Sequence, residues 1–108
     1  MIKVVTMRKR RKDLTQQQFR DYWVNQHSIL ERQVFARGEI KKIVTTFVTE
    51  TLVGESPYDG MVELYFDNMD DFNRERIHTG DMMKEDAAKF CDPDAKITLL
   101  TEEVVIAS

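Results

Sequence analysis

The chain has 108 residues, of which 42% are hydrophobic and 32% charged, which provides for one compact domain with a single core and excludes a two-domain cofactor enzyme of the doubly wound kind. The longest uninterrupted apolar run, Val104 to Ala107, has four residues, so neither a transmembrane helix nor a secretory signal is expected. The net charge of −3 argues against nucleic acid as the main partner.

That net charge hides an asymmetry. Residues 1–43 carry 11 Lys/Arg against 4 Asp/Glu, while residues 44–108 carry 5 against 15. The densest basic stretch is Arg8-Lys9-Arg10-Arg11-Lys12, which reads as a solvated turn able to steer anions, without the interleaved aromatics that stack bases. With one cysteine, Cys91, no internal disulfide can close, and a reducing, cytoplasmic setting is expected.

In chain order, Ile2 and Val4 alternate with polar neighbours up to Met7, which predicts a first strand ending at the basic turn. Thr15 followed by Gln18 is a capping box. It opens a helix whose apolar stripe is Phe19, Trp23, Leu30 and Val34, running to about Ala36 and ended by Gly38. Residues Ile40 to Leu52, rich in Val, Ile, Thr and Phe, predict a second strand, and Gly54 to Pro57 a turn. Met61 to Phe66 predicts a third strand. From Asp70 the period becomes helical, with Phe72, Thr79, Met83, Ala87 and Phe90 near one face. Gly80 breaks that pattern, and Asp81 is placed to cap a second short helix. Asp92-Pro93-Asp94 is expected to close this region before a last strand from Ile97 to Ile106.

The order βαββαβ folds most economically as a ferredoxin-like α+β domain over residues 1–108, a four-stranded antiparallel sheet with its helices on one face. Neither side of the third strand is polar: Val62, Leu64 and Phe66 lie on one, and Met61, Glu63 and Tyr65 on the other. A second copy of the chain is the simplest cover for the face the helices leave open, which predicts a homodimer.

Several stretches resemble the EthD family of the dimeric α/β-barrel superfamily. They are Lys9-Arg10-Arg11, Leu14-Thr15 through Phe19, Tyr22-Trp23 with His27, the string Tyr58-Asp59-Gly60-Met61-Val62-Glu63-Leu64-Tyr65-Phe66-Asp67, and Phe90-Cys91-Asp92-Pro93. The resemblance implies a ferredoxin-like dimeric barrel and an association with oxidative breakdown of small organic compounds. Superfamily cousins include cofactor-free cyclases, isomerases, dehydratases and monooxygenases acting on hydrophobic or aromatic molecules. Fold-level likeness does not choose among these chemistries.

The residues themselves offer a short set of candidates. His27 lies about 80° around the helix from Phe19 and can exchange protons near neutral pH. Glu63, mid-strand among apolar neighbours, must be paired, protonated or facing a wet cavity. His27 and Glu63 are thus the candidate catalytic pair, with Tyr22, Trp23, Tyr65 and His78 as candidate substrate-binding residues. Each has a plainer reading: a hydrogen-bonded core histidine, a structural ion pair, packed aromatic rings and a solvated loop histidine. Acidic neighbours are expected to keep the Cys91 thiol protonated and inert.

The two histidines stand 51 positions apart and no CxxC exists, so no metal is expected. No GxGxxG, GxxxxGK[ST] or GxSxG occurs, so no nucleotide cofactor or serine nucleophile is expected either. Two functional classes remain open: a cofactor-free enzyme on a hydrophobic small molecule, and an accessory protein that binds such a molecule without chemistry.

Overall fold

In the computed structural model, which describes residues 1–108 throughout, the elements are β1 (Ile2–Arg10), α1 (Gln16–Tyr22), a π-helical turn (Trp23–His27), α2 (Ser28–Phe35), β2 (Lys42–Phe47), β3 (Gly60–Phe66), α3 (Met69–Thr79), α4 (Met82–Ala87) and β4 (Cys91–Thr101). The sheet has the order β2-β3-β1-β4 with every neighbouring pair antiparallel. This is the ferredoxin-like arrangement expected from the element order.

Local chemistry explains most boundaries. The Thr15 hydroxyl accepts from the Gln18 amide N–H at 3.1 Å, and the Gln18 side chain accepts from the Thr15 N–H at 2.8 Å, so two otherwise free helix donors are satisfied. Asn68 caps α3 through a 2.9 Å bond from the Asp71 N–H. Gly80, with φ of 55°, takes the left-handed backbone that ends α3 and starts the break. Asp81 precedes α4 as expected, but its side chain makes no capping bond.

Three boundaries differ from the sequence expectation. β1 continues through the basic stretch to Arg10, because its strand period persists there: Arg8 pairs with Gly60 on one side and Lys96 on the other. β2 stops at Phe47, well before Leu52. β4 starts at Cys91 and ends at Thr101, and Asp92-Pro93-Asp94 sits in an irregular stretch between the Arg10–Cys91 and Arg8–Lys96 pairings. A bulged edge strand is where a proline is tolerated.

Even-numbered residues of β1 and β3 face the helices. There Phe19, Trp23, Ala87, Phe90 and Cys91 form one buried cluster, and Val4, Val34, Ile40 and Phe66 another. Gly60 allows the first cluster to seat on the sheet, since a Cβ there would lie 3.2 Å from the Trp23 ring and 3.3 Å from both the Phe19 ring and the Thr46 carbonyl oxygen. No helix is long and apolar enough to cross a membrane.

Candidate functional site

Between the two buried clusters lies a cavity of about 150 Å³, walled mainly by apolar side chains of α2, β3 and α4, the size at which an apolar cavity accepts a benzene-sized molecule. Its polar groups are few: His27, Glu31, Arg8, Glu75, Thr6 and Thr79.

The π-helical turn decides which of these groups arrive. A π turn holds one residue more than the α-helix needs, so it shifts everything after it by one position around the axis. In an unbroken α-helix Leu30 would take the centre of the inward stripe and Glu31 its margin. With the extra residue, His27, Glu31 and Val34 are buried and Leu30 is only half-buried. Just past the turn, the Ser28 hydroxyl donates to the Val24 carbonyl.

His27 is held from behind. Its Nδ1 lies 2.7 Å from Asp86 Oδ2, and the Tyr22 hydroxyl donates to Asp86 Oδ1 at 3.0 Å. Burial pulls the imidazole pKa below its ordinary value against the opposing pull of Asp86, with Arg8 lowering it further. Burial would raise the Asp86 carboxyl, but hydrogen bonds from His27 and Tyr22 outweigh it and hold the pKa below the usual value. The pair therefore rests as neutral imidazole and carboxylate. Because a carboxylate only accepts, Nδ1 carries the proton and Nε2 keeps its lone pair. The Phe90 ring packs at a tilt, 5.0 Å from the imidazole, and restricts its rotation.

One helical turn on, Glu31 is buried and accepts from the Trp23 indole N–H at 3.2 Å. Burial pushes its carboxyl up to about 7, with the Trp23 bond and Arg32 acting in the opposite direction. Glu31 and Ile43 also line an open groove beside α2 and β2, so they form part of the wall between the cavity and solvent.

The sequence candidates separate on this geometry. His27 and Trp23 line the cavity. Tyr22 does not, but its hydroxyl positions Asp86. Glu63 and Tyr65 lie on the opposite sheet face, where Glu63 pairs with Lys3 at 2.9 Å and the Tyr65 hydroxyl donates to Glu103 at 3.2 Å. The expected His27–Glu63 acid–base pair is thus corrected: even-numbered β3 residues face the helices, and the sheet stands between the two side chains. His78 is corrected too, since it lies outside the cavity with its side chain half exposed and 2.6 Å from Glu39.

Burial, more than the acidic neighbours expected to act, pushes the Cys91 thiol up to about 12. Within the basic stretch, Arg10 bonds the Leu14 carbonyl and Arg11 pairs with Asp13. Arg8, read from sequence as part of a turn, instead lines the cavity. Glu31, Asp86 and Arg8 were missed. The signal for Arg8 was available, because Val4, Thr6 and Arg8 share one alternation; Glu31 had none, since hydrophobic spacing does not encode a π turn. No cluster of three or more His, Cys, Asp or Glu side chains is placed to hold a metal.

The architecture has known counterparts. An ethyl tert-butyl ether D (EthD) family protein from Bacillus halodurans C-125 matches with a TM-score of 0.76 at 23% identity, covering 96% of this chain and 99% of that one. An EthD-like protein from Ralstonia eutropha JMP134 matches with a TM-score of 0.72 at 20% identity, covering 99% and 95%. A protein of unknown function from Thermobifida fusca YX, described as dimeric and ferredoxin-like, matches with a TM-score of 0.67 at 16% identity, covering 93% and 88%. At these identities the likeness establishes the fold. Among curated proteins no sequence matches. The EthD domain model matches residues 11–94, and with most of its length so matched the chain belongs to the EthD family.

Proposed function

We propose that this protein binds a small, mostly apolar organic molecule in the cavity between its helices and sheet, and that His27 and Glu31 move a proton on that molecule. The observation that carries this reading is the cavity itself: a buried imidazole whose pKa burial lowers and a buried carboxyl whose pKa burial raises to about 7 stand one helical turn apart in a mostly apolar lining. Neutral His27 offers the Nε2 lone pair as a base, and Asp86 stabilises the imidazolium that forms. Protonated Glu31 offers an acid to an oxygen of the same ligand. A base kept neutral and an acid kept protonated by their surroundings are the arrangement acid–base catalysis needs. The association of the EthD family with oxidative breakdown of small organic compounds fits a ligand of this class. The chemistry drawn here uses no cofactor.

A homodimer belongs to the same reading. On the open sheet face Val5, Met7, Met61, Ile97 and Leu99 adjoin one another, and Ile97 and Leu99 remain 41% and 43% exposed in the single chain. The dimeric description of the Thermobifida fusca protein supports a second copy as the cover.

Nitrogen NMR of histidine-labelled protein titrated with phenol tests the ligand site. His27 Nε2 should shift in a saturable way while His78 stays unchanged, and Ala87→Phe, which fills the cavity, should abolish the response. If His27 does not respond to phenol at any concentration, or responds equally in the filled variant, the reading fails. Binding with no proton exchange on any carbon acid would leave the accessory role.

A further inference from the structure

The cavity holds a positive charge that no group in the chain neutralises. Arg8 reaches it from β1, directly opposite Lys96 of β4 on the same sheet face. The ion pairs of the chain engage Arg10, Arg11 and Arg74 but not Arg8 or Lys96. Glu31 and Glu75 line the same cavity, yet neither forms an ion pair with Arg8, and the Glu75 carboxylate accepts instead from the Thr79 hydroxyl at 2.7 Å. A partly buried guanidinium without a carboxylate is costly unless something anionic completes it.

We propose that Arg8, with Lys96 beside it, receives an anionic oxygen of the bound molecule, so that the ligand is a small aromatic or alicyclic carboxylate, phenolate or enolate. This deepens the preceding reading and rests on it for the place of binding. The planar fork of arginine suits a carboxylate or a delocalised oxyanion. The surroundings of the two groups agree: burial pulls the Arg8 guanidinium below its ordinary value, and Lys96 is lowered by burial, then by Arg8 and Lys84. Positive groups thus press on one another there, and an entering anion relieves them. With His27 in the same cavity, Arg8 would hold the carbonyl oxygen while Nε2 takes the proton from the adjacent carbon: the C–H electron pair becomes the C=C bond, the C=O π pair moves to the oxygen as an enolate, and the proton goes to the imidazole.

Benzoate and benzamide test this, because they share shape and differ in charge. The only tryptophan, Trp23, lines the cavity, so its fluorescence reads occupancy by either probe. Benzoate should bind about tenfold or more tightly than benzamide, as expected for a hydrogen bond to a charged group. Arg8→Gln should remove that preference, and Arg8→Lys should retain part of it. Lys96→Gln, at a more exposed position and without direct effect on the fold, should reduce the preference in a protein that remains folded. Benzamide binding with no preference for benzoate overturns the anion site and leaves the cavity reading intact. If neither probe binds to the unaltered protein, the cavity reading fails and the anion site with it. A preference that survives Arg8→Gln also overturns the assignment.

Discussion

At the residue scale, Glu31 is the most consequential side chain that sequence reasoning did not find. Its carboxyl ordinarily titrates at 4.5 and in the folded chain at about 7. Between those values the folded state binds more protons than the unfolded state, so this residue's contribution to stability is full below pH 4.5 and falls as pH rises toward 7. At about 1.4 kcal/mol per pKa unit the loss approaches roughly 3 kcal/mol. His27 acts in the opposite sense, because its lowered folded pKa removes stability as pH falls below its unfolded value. Comparison with Glu31→Gln, which keeps an acceptor for Trp23, isolates the first effect. In urea titrations from about pH 5 to pH 8, the unaltered protein should lose stability relative to Glu31→Gln as pH rises. A difference independent of pH would show that Glu31 is not held in its neutral form.

At the scale of elements, the sequence carried the βαββαβ order, the capping box and the helix break at Gly80, because each depends on local chemistry. It did not carry which face of β3 meets the helices. Both alternations of that strand are apolar enough to be buried, and only the docking of α1 over Gly60, with Trp23 and Phe19 in close approach, decides between them. Glu63 was misplaced for that reason. The π-helical turn was equally silent, since seven-residue spacing from Trp23 to Leu30 looks like an ordinary stripe. Its geometry makes a counter-intuitive expectation. Deleting Asn25, an exposed residue of the turn, removes the surplus residue and leaves His27 and Glu31 on the inward face. Thermal melts followed by circular dichroism should show a folded variant within about 1 kcal/mol of the unaltered protein. Failure of this variant to fold would contradict the register argument.

At the scale of the whole molecule, the sheet separates two environments. The helix side holds the cavity with His27 and Glu31. The open side divides into a charged end, where Lys3 bridges Glu63 and Glu103, and an apolar stretch around Leu99. Burying that stretch against a second copy is the expected use of an unpaired face. Light scattering at micromolar concentration should give twice the mass of one chain, and Leu99→Glu should shift the population to single chains that remain folded. A monomer in the unaltered protein would remove the dimer from the account.

The most direct test of the central claim is a crystal structure of the protein soaked with phenol. The ring should lie in the cavity beside Trp23 and Val62, with its oxygen within hydrogen-bond distance of His27 Nε2 and the His27–Asp86 contact intact. Phenol bound only outside the cavity, or a cavity closed by its own side chains in the presence of the ligand, would contradict it.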